Sequence, residues 1–215
     1  IINLLDLQFA MNAALERRGR DLEVAVMERT AELTTANKKL EELSIRDGLT
    51  GLFNRRAMAE KLDDLHALCA RRGNSYSVIL TDVDHFKNYN DTLGHVYGDK
   101  ALIQISQLLQ KAVRTYDSVY RYGGEEFLIV MPESSEEAVR VVAERIRSSI
   151  EQAAIPHPNS STGSCITLSV GFAVVTGENI KRFSAWGKLV ETADQALYHA
   201  KQHGRNRVAG PDTAT

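Results

Sequence analysis

The chain has 215 residues, enough for one well-packed domain and an additional segment. Its hydrophobic share of 43% and charged share of 25% are typical of a soluble globular protein. The formal net charge of -2 excludes a strongly basic field, so we expect neither nucleic-acid binding nor membrane contact by this segment. The two cysteines, Cys69 and Cys165, lack metal-ligand spacing, and no apolar run reaches the roughly 20 residues that span a bilayer. These features predict a protein of the reducing cytoplasm.

Residues 1–46 predict one long linker helix. They contain no proline, one glycine and many helix-forming side chains. Because the sequence opens "IINLLDLQFA" without a starting Met, we expect an upstream sensor domain in a longer protein. Apolar residues recur three and four positions apart, at Leu4, Leu7, Met11 and Leu15 and then, in another phase, at Leu22, Val26, Leu33, Ala36, Leu40 and Leu43. This narrow stripe with charged flanks predicts a parallel coiled coil that forms a homodimer.

Two heptad registers fit the second half of this helix. Both place Leu22, Arg29, Ala36 and Leu43 in the seam. One register completes the seam with Val26, Leu33 and Leu40, whereas the other uses Ala25, Glu32 and Lys39. The first is better packed, and the change of phase against the upstream half resembles a stutter. The alternative to a coiled coil is a long amphipathic helix that lies on its own domain.

A globular domain is predicted over residues 47–210, followed by a tail at 211–215. The segment "SIRDGLTGLFNRR" at 44–56 ends the helix, because its glycines break the helical pattern. The elements expected after it are a helix at about 55–70, a buried strand at 76–84, a helix at about 99–114, a hairpin at 118–131, a helix at about 135–153, a strand at 165–175, a helix at about 189–203 and a strand near 207–208. The order β-α-β-β-α-β predicts an α/β (α+β) fold with a ferredoxin-like core and peripheral additions.

Carboxylates gather at two strand ends of this scheme. Asp82 and Asp84 close the first buried strand, and Glu125 and Glu126 follow a glycine pair in "RYGGEEFLIV". In a split β-α-β sheet the first and third strands are neighbours, so the hairpin turn can lie beside Asp82. Strand alternation puts Asp82 and Asp84 on one face, which only one of the two glutamates can join. Clustered carboxylates repel unless hard divalent cations hold them together, so the pattern favours a metal site over simple strand-end caps.

Five motifs, in order, resemble those of the GGDEF-domain diguanylate cyclases. Together they cover about Ser44 to Val208, and they are "DGLTGLFNRR", "DVDHFKNYNDTLGHVYGD", "RYGGEEF" in the GGEEF form, "SVGFA" and "ADQALYHAKQHGRNRV". The resemblance implies a nucleotidyl-cyclase-like fold and the synthesis of cyclic di-GMP from two GTP. It also implies a metal site in which Asp82, Glu125 and the carbonyl of Val83 bind Mg²⁺ or Mn²⁺, two ions for each GTP, with Glu126 in support. Glu125 would also help to deprotonate the attacking ribose hydroxyl.

The same resemblance implies a guanine pocket. Asn90 and Asp99 would hydrogen-bond the base, because a carboxylate can accept both N1–H and the exocyclic amine of guanine. His95 would lie near the same nucleotide, and the alternative for it is a structural hydrogen-bonding role. Gly123 and Gly124 would let the hairpin backbone approach GTP without a Cβ clash.

The phosphate contacts implied by the resemblance lie on two segments. The "HFK" turn would offer backbone N–H groups, including that of Phe86, to the β- and γ-phosphates, and Lys87 would counter charge in the transition state. Lys201 and Arg205 would hold the terminal phosphates. The alternative for these two is that they are ordinary cations at a helix C-terminus.

A second nucleotide site is implied by "RTYD" at 114–117. Its offset from the GGEEF motif matches the product-binding inhibitory site of the family, with Arg114 and Asp117 as contacts to cyclic di-GMP and Arg145 as a secondary contact. A surface ion pair is the alternative.

Two rival functions are a degenerate domain that only binds GTP or cyclic di-GMP, and a structural dimeriser. The retained Asp82, Glu125 and glycine pair argue against both.

Overall fold

The structure is a computed structural model and describes residues 3–43 and 45–211. The chain divides into two units, Ile1–Ser44 and Ile45–Thr215. The first unit contains one helix, α1 (Leu4–Leu43), in which the stripe residues Leu22, Val26 and Leu33 are 56–66% exposed. The side chains of Leu4, Leu7, Ala36, Lys39, Leu40 and Leu43 lie outside the described part, so the two-register hypothesis remains a prediction. The predicted tail also lies outside it, apart from Pro211.

The second unit has the predicted alternation of helices and strands. Its elements are α2 (Arg55–Arg72), β1 (Tyr76–Val83), α3 (Phe86–Leu93), α4 (His95–Ala112), β2 (Ser118–Gly123), β3 (Glu126–Pro132), α5 (Glu136–Gln152), β4 (Leu168–Val175), a 3₁₀ turn (Ile180–Arg182), α6 (Trp186–Gln202) and β5 (Val208–Ala209). None of the helices in the described ranges combines the length and the apolar content that a membrane crossing requires. The presence of both helices and a five-stranded sheet in this unit confirms the predicted mixed α/β fold class.

One five-stranded sheet runs in the order β2-β3-β1-β4-β5. The central strand β1 is antiparallel to both β3 and β4, and only the β4–β5 pair is parallel. The first and third strands are neighbours, as the ferredoxin-like scheme predicts. In the register of that pair, Asp82 lies directly opposite Glu126. The hairpin turn after β2 therefore lies beside the C-terminal end of β1.

Alternate residues of the sheet face two helical layers. Ile79 and Phe127 belong to a core with α3, α4 and α5, whereas Val78 and Leu128 belong to a second core with α2 and α6. All four side chains are fully buried, and burial of each contributes about 1.5–3 kcal/mol. This packing on both faces fixes the position of the end of β1.

Several predicted boundaries differ from those observed. Helix α3 was not predicted, because its segment "FKNYNDTL" is short and rich in residues that favour turns. Gly94, at φ 88, separates α3 from α4, which begins at His95 rather than at residue 99. Strand β4 begins at Leu168 rather than 165, because Cys165 forms an isolated bridge with Pro156 instead.

Candidate active site

The glycine turn between β2 and β3 is held by Arg121. Its Nε and Nη2 donate to the carbonyl of Gly124 at 3.1 and 2.9 Å, and its Nη1 donates to both carboxylate oxygens of Asp47 at 3.1 and 3.2 Å. Gly124 has φ 47, a conformation that glycine adopts without steric cost. The ladder is irregular between Arg121 and Gly123. The opening motif of the domain thus fixes the turn that carries the two glutamates.

Asp47 is itself fixed by its own loop. Thr50 donates to its Oδ1 from the backbone N–H at 2.8 Å and from the hydroxyl at 2.7 Å. Burial raises the pKa of the Asp47 carboxyl, but the Thr50 hydrogen bonds and the Arg121 charge lower that pKa by more, so it lies below its ordinary value. Asp47 is therefore a charged anchor for Arg121.

Three carboxylates approach one another at the end of β1. Burial raises the pKa of Asp82, the ion pair with Lys201 (2.8 Å from Nζ to Oδ2) lowers it, and Glu125 raises it again, with a net increase. Burial and then the charge of Asp82 raise the pKa of Glu126. Thus Glu126 faces Asp82 across the ladder, and Glu125 acts on the same carboxyl from the turn. Across residues 3–43 and 45–211, no group of three or more His, Cys, Asp or Glu side chains is arranged to hold a metal ion.

These carboxylates nevertheless have the chemistry of a site for a hard cation. Their oxygens are the donors that Mg²⁺ prefers. At Asp82 and Glu126, burial and the neighbouring carboxylates raise the pKa by more than Lys201 lowers it. A divalent cation between them would remove this repulsion. The donor set therefore fits a divalent cation.

Asp84 lies on the same face of the sheet as Asp82, but its own contacts are structural. Its side chain is 1% exposed and accepts hydrogen bonds from Thr167 Oγ1 at 2.7 Å, Ser169 Oγ at 2.6 Å and the backbone N–H of Asn206 at 3.1 Å. Ser169 is the partner of Asp82 in the β1–β4 register, so its bond to Asp84 places Asp84 on the predicted face. The charge of Asp84 also contributes to the raised pKa of Asp82. Its carboxylate points into the protein and joins three segments.

The predicted guanine contacts lie where α3 meets α4. Asn90 is on α3, whereas His95 and Asp99 are exposed on the first turns of α4. The Oδ1 atom of Asn90 is buried and accepts no hydrogen bond from the described residues. A buried acceptor without a donor costs about 1–3 kcal/mol. A ligand that donates N–H groups would satisfy it.

The predicted phosphate turn is held in an unusual conformation. His85 has φ 56, in the left-handed region. Phe86 is 6% exposed and packs in the core, so only its backbone can face a ligand, whereas Lys87 is exposed. The loop after α5 supports the turn: His157 Nε2 lies 3.2 Å from the His85 carbonyl, and Ser161 Oγ lies 2.8 Å from His85 Nε2. The sequence marks this loop only as polar, so the contact was not predicted.

The two predicted cations reach the same end of the sheet. Lys201, in the last turn of α6, pairs with Asp82. Arg205 follows Gly204, and these residues have φ 58 and φ 103. Burial lowers the pKa of His85 and the Arg205 guanidinium lowers it further, so this guanidinium lies close to the phosphate turn. The phosphate-binding roles of Lys201 and Arg205 remain predictions.

The predicted product site lies on the turn before β2. Asp117 Oδ2 accepts the backbone N–H of Arg114 at 2.9 Å, and the N–H of Asp117 donates to the Arg114 carbonyl at 3.1 Å. These bonds define the turn and differ from a surface ion pair between the two side chains. Arg114 and, on α5, Arg145 are exposed. The three residues remain a predicted ligand site.

The fold and the acidic turn define a nucleotidyl-cyclase-like domain. The chain belongs to the GGDEF family, because the family model described as "Diguanylate cyclase, GGDEF domain" matches residues 44–207. The resemblance seen in the sequence motifs is thereby confirmed.

Named relatives agree with this assignment. Diguanylate cyclase DosC of Escherichia coli (strain K12) is 42% identical over 162 residues, which cover 75% of this chain and 34% of that protein. Response regulator PleD of Caulobacter vibrioides (strain NA1000 / CB15N) is 37% identical over 169 residues, covering 79% of this chain and 36% of that protein. A crystal structure of the coiled coil and GGDEF domain of DgcB from Caulobacter crescentus, in complex with c-di-GMP, superposes with a TM-score of 0.69 at 31% identity, covering 88% of this chain and 98% of that chain. The chain spans about a third of the length of the two curated relatives.

Proposed function

We propose that this chain is the catalytic part of a diguanylate cyclase, which condenses two GTP into cyclic di-GMP and two diphosphates. The proposal is carried by the carboxylates and cations grouped at the C-terminal end of β1, together with an unsatisfied acceptor on helix α3, which follows β1. These groups are the carboxylates of Asp82, Glu125 and Glu126, the cations of Lys201 and Arg205, and the unsatisfied amide oxygen of Asn90. A GTP site requires three kinds of group: carboxylates that bind metal, cations that bind phosphate and an acceptor that binds the base.

Guanine selection rests on two acceptors. Asn90 Oδ1 lacks a donor within the described residues, and the Asp99 carboxylate is exposed one turn into α4. Guanine offers N–H groups at N1 and at its 2-amino group, whereas adenine has no N–H at N1. His95 flanks the same position. The pocket therefore favours GTP over ATP.

Catalysis assigns separate roles to the residues at the end of β1. Asp82, Glu125, Glu126 and the Val83 carbonyl would hold two divalent cations, Mg²⁺ or Mn²⁺, which neutralise triphosphate charge when bound. The Phe86 backbone N–H, Lys201 and Arg205 orient the β- and γ-phosphates, and Gly123 and Gly124 keep the approach to the nucleotide open. Lys87 offsets the charge that develops on the reacting phosphate.

The chemical step is an in-line displacement. Glu125 accepts the proton of the 3′-hydroxyl as that oxygen bonds to the α-phosphorus of the other GTP. The bond from the α-phosphorus to the bridging oxygen breaks, and diphosphate leaves with the electron pair. Two such steps close the ring. Because each domain binds one GTP, two chains must face each other.

Dimerisation is assigned to α1. Its stripe residues Leu22, Val26 and Leu33 are more than half exposed, as expected for side chains that a second helix would cover. A coiled coil would hold two domains at a high effective concentration, and its register would set their orientation. An upstream sensor would act through this helix. Cyclic di-GMP bound at Arg114, Asp117 and Arg145 would inhibit the enzyme.

The proposal is tested by incubating the purified chain with GTP and Mg²⁺ and separating the nucleotides by chromatography. We expect one cyclic di-GMP and two diphosphates for every two GTP consumed, and no cyclic product from ATP. GTP that binds but is recovered intact would instead identify a nucleotide receptor. Conversion of GTP to GDP would contradict the proposal as well.

A further inference from the structure

The turn between α6 and β5 has an unusual backbone. Gly204, Arg205 and Asn206 have φ values of 103, 58 and 44, so three successive residues lie in the left-handed region and two of them are not glycine. Residues other than glycine persist in this region only where surrounding contacts hold them. On one side, the N–H of Arg205 donates to the carbonyl of Ala200 at 3.1 Å. The other side of the turn needs its own support.

The buried carboxylate of Asp84 supplies part of that support. Its Oδ2 accepts the backbone N–H of Asn206 at 3.1 Å and the hydroxyl of Thr167 at 2.7 Å, and its Oδ1 accepts the hydroxyl of Ser169 at 2.6 Å. At 1% exposure this carboxylate has almost no water contact. Asp84 therefore joins the turn to the end of β1 and to the start of β4.

The Asn206 side chain is held from helix α5. Its Oδ1 accepts from Arg147 Nη1 at 2.8 Å, and its Nδ2 donates to Glu151 Oε1 at 2.7 Å. Arg147 is only 15% exposed and also pairs with Glu144 at 2.6 Å and with Glu151 at 2.7 Å. The planar guanidinium can serve these acceptors at once, which an ammonium group cannot do with the same geometry. Both the backbone and the side chain of Asn206 are thus fixed.

We propose that Asn206 and Arg147 are positioning residues for Arg205, and that they hold its guanidinium toward the phosphate turn at His85. The inference rests on the proposed function, in which Arg205 binds the terminal phosphates of GTP. Arg205 lies inside a left-handed turn, so relaxation of its neighbour to an ordinary backbone conformation would redirect its side chain away from β1. Neither positioning residue is among the predicted nucleotide contacts.

The proposal predicts a loss confined to phosphate recognition. Arg147→Lys keeps the charge but loses the planar fork, and Asn206→Gly keeps access to the left-handed backbone but loses both side-chain bonds. We expect each to weaken binding of a GTP analogue with a non-cleavable α–β linkage about fivefold to tenfold, measured by calorimetry with Mg²⁺. Guanosine, which lacks phosphates, should bind within about twofold of wild type. Arg140→Lys is the matched control, because Arg140 lies on the same helix and pairs at 3.1 Å with Glu136 on the surface.

A double-mutant cycle separates positioning from general loosening of the fold. If Arg147 acts through Arg205, then Arg147→Lys will cause no further loss of analogue binding in an Arg205→Ala background. Additive losses, or equal losses for the analogue and guanosine, would overturn the proposal. A wild-type chain that binds the analogue selectively but makes no cyclic di-GMP would refute the proposed function and leave the positioning intact. A wild-type chain that does not bind the analogue would refute both the proposed function and the positioning roles.

Discussion

Arg121 and Asp47 form an ion pair, through the Nη1 atom of the guanidinium, that joins the first loop of the domain to the glycine turn. The guanidinium contacts both carboxylate oxygens and also donates twice to the Gly124 carbonyl. Their side chains are 18% and 21% exposed, so water screens the pair only in part. The position of the two glutamates thus depends on Asp47, which precedes Arg121 by 74 positions in the sequence.

We expect Asp47→Asn to lower the free energy of unfolding by about 1–3 kcal/mol at neutral pH, because it leaves the Arg121 charge without its partner. The folded-state pKa of Asp47 lies below its ordinary value, so its charge stabilises the fold above the unfolded-state pKa, near ~4. This contribution is lost as the pH falls through the folded-state value. The difference between wild type and variant should therefore be constant from about pH 5 to 8 and shrink below about pH 4.

Urea unfolding across this range measures the effect. Glu191→Gln is the control, because it removes a mostly exposed pair with Lys188 and should change the free energy of unfolding by less than about 0.5 kcal/mol. A deficit for Asp47→Asn that does not change with pH would show that its charge has no part in the stabilisation.

Gly98→Ala should impair GTP binding although it substitutes none of the predicted ligand contacts. A Cβ at this position would overlap the Asn90 amide oxygen and lie 3.0 Å from Asn90 Cγ and 3.3 Å from Phe86 Cζ. Asn90 must then rotate, so we expect KM for GTP to rise about tenfold with a smaller change in kcat. Gly187→Ala on α6 meets nothing within 4 Å and is the control. An unchanged KM in Gly98→Ala would contradict the prediction that Asn90 contacts guanine.

Arg114→Ala should relieve product inhibition selectively. The guanidinium is the expected donor to guanine or phosphate of cyclic di-GMP, and it lies outside the catalytic group. We expect initial rates to stay near wild type while the inhibition constant for added cyclic di-GMP rises at least about tenfold, roughly 1.4 kcal/mol. If that constant does not move, the "RTYD" turn has only a structural role.

The register of α1 should set the activity of the dimer. Replacing Leu33 and Leu40 with Lys disfavours the register that uses these two positions, because a charged side chain in the coiled-coil seam must be desolvated or displaced. A second variant, which favours the other register, has Leu in place of Ala25, Glu32 and Lys39. Both variants should shift cyclase activity in the same direction while light scattering shows retained dimers. Equal activity in both variants and wild type would identify α1 as a passive tether.

Much of the fold was predictable because its signals are local. The buried run of β1, the glycine pair at the hairpin and the order of elements together predicted that β1 and β3 are neighbours, which places Asp82 opposite Glu126. Helix α3 was missed, since its eight residues are mostly polar and include Asn88, Asn90 and Asp91, which favour turns. It forms because Phe86 and Tyr89, three positions apart, bury their rings in one core.

The supporting contacts of the site were not predictable from local pattern. Asp84 resembles Asp82 in sequence, but its hydrogen bonds reach Thr167, Ser169 and Asn206, up to 122 positions away. Arg147 and Asn206 are 59 positions apart, and His157 supports His85 from 72 positions away. Such contacts depend on the packed sheet and leave no spacing rule in the chain. Motif resemblance predicts residues for ligand contact but not the residues that hold them in place.

The central claim, carboxylate-dependent synthesis of cyclic di-GMP from GTP, is tested most directly by Glu125→Gln. This change keeps the size of the side chain and removes the charge that accepts the proton and holds metal. We expect the rate of cyclic di-GMP formation with saturating GTP and Mg²⁺ to fall at least about 10³-fold, on the order of 4 kcal/mol in barrier, with an unchanged melting temperature. A rate near that of wild type would contradict the account.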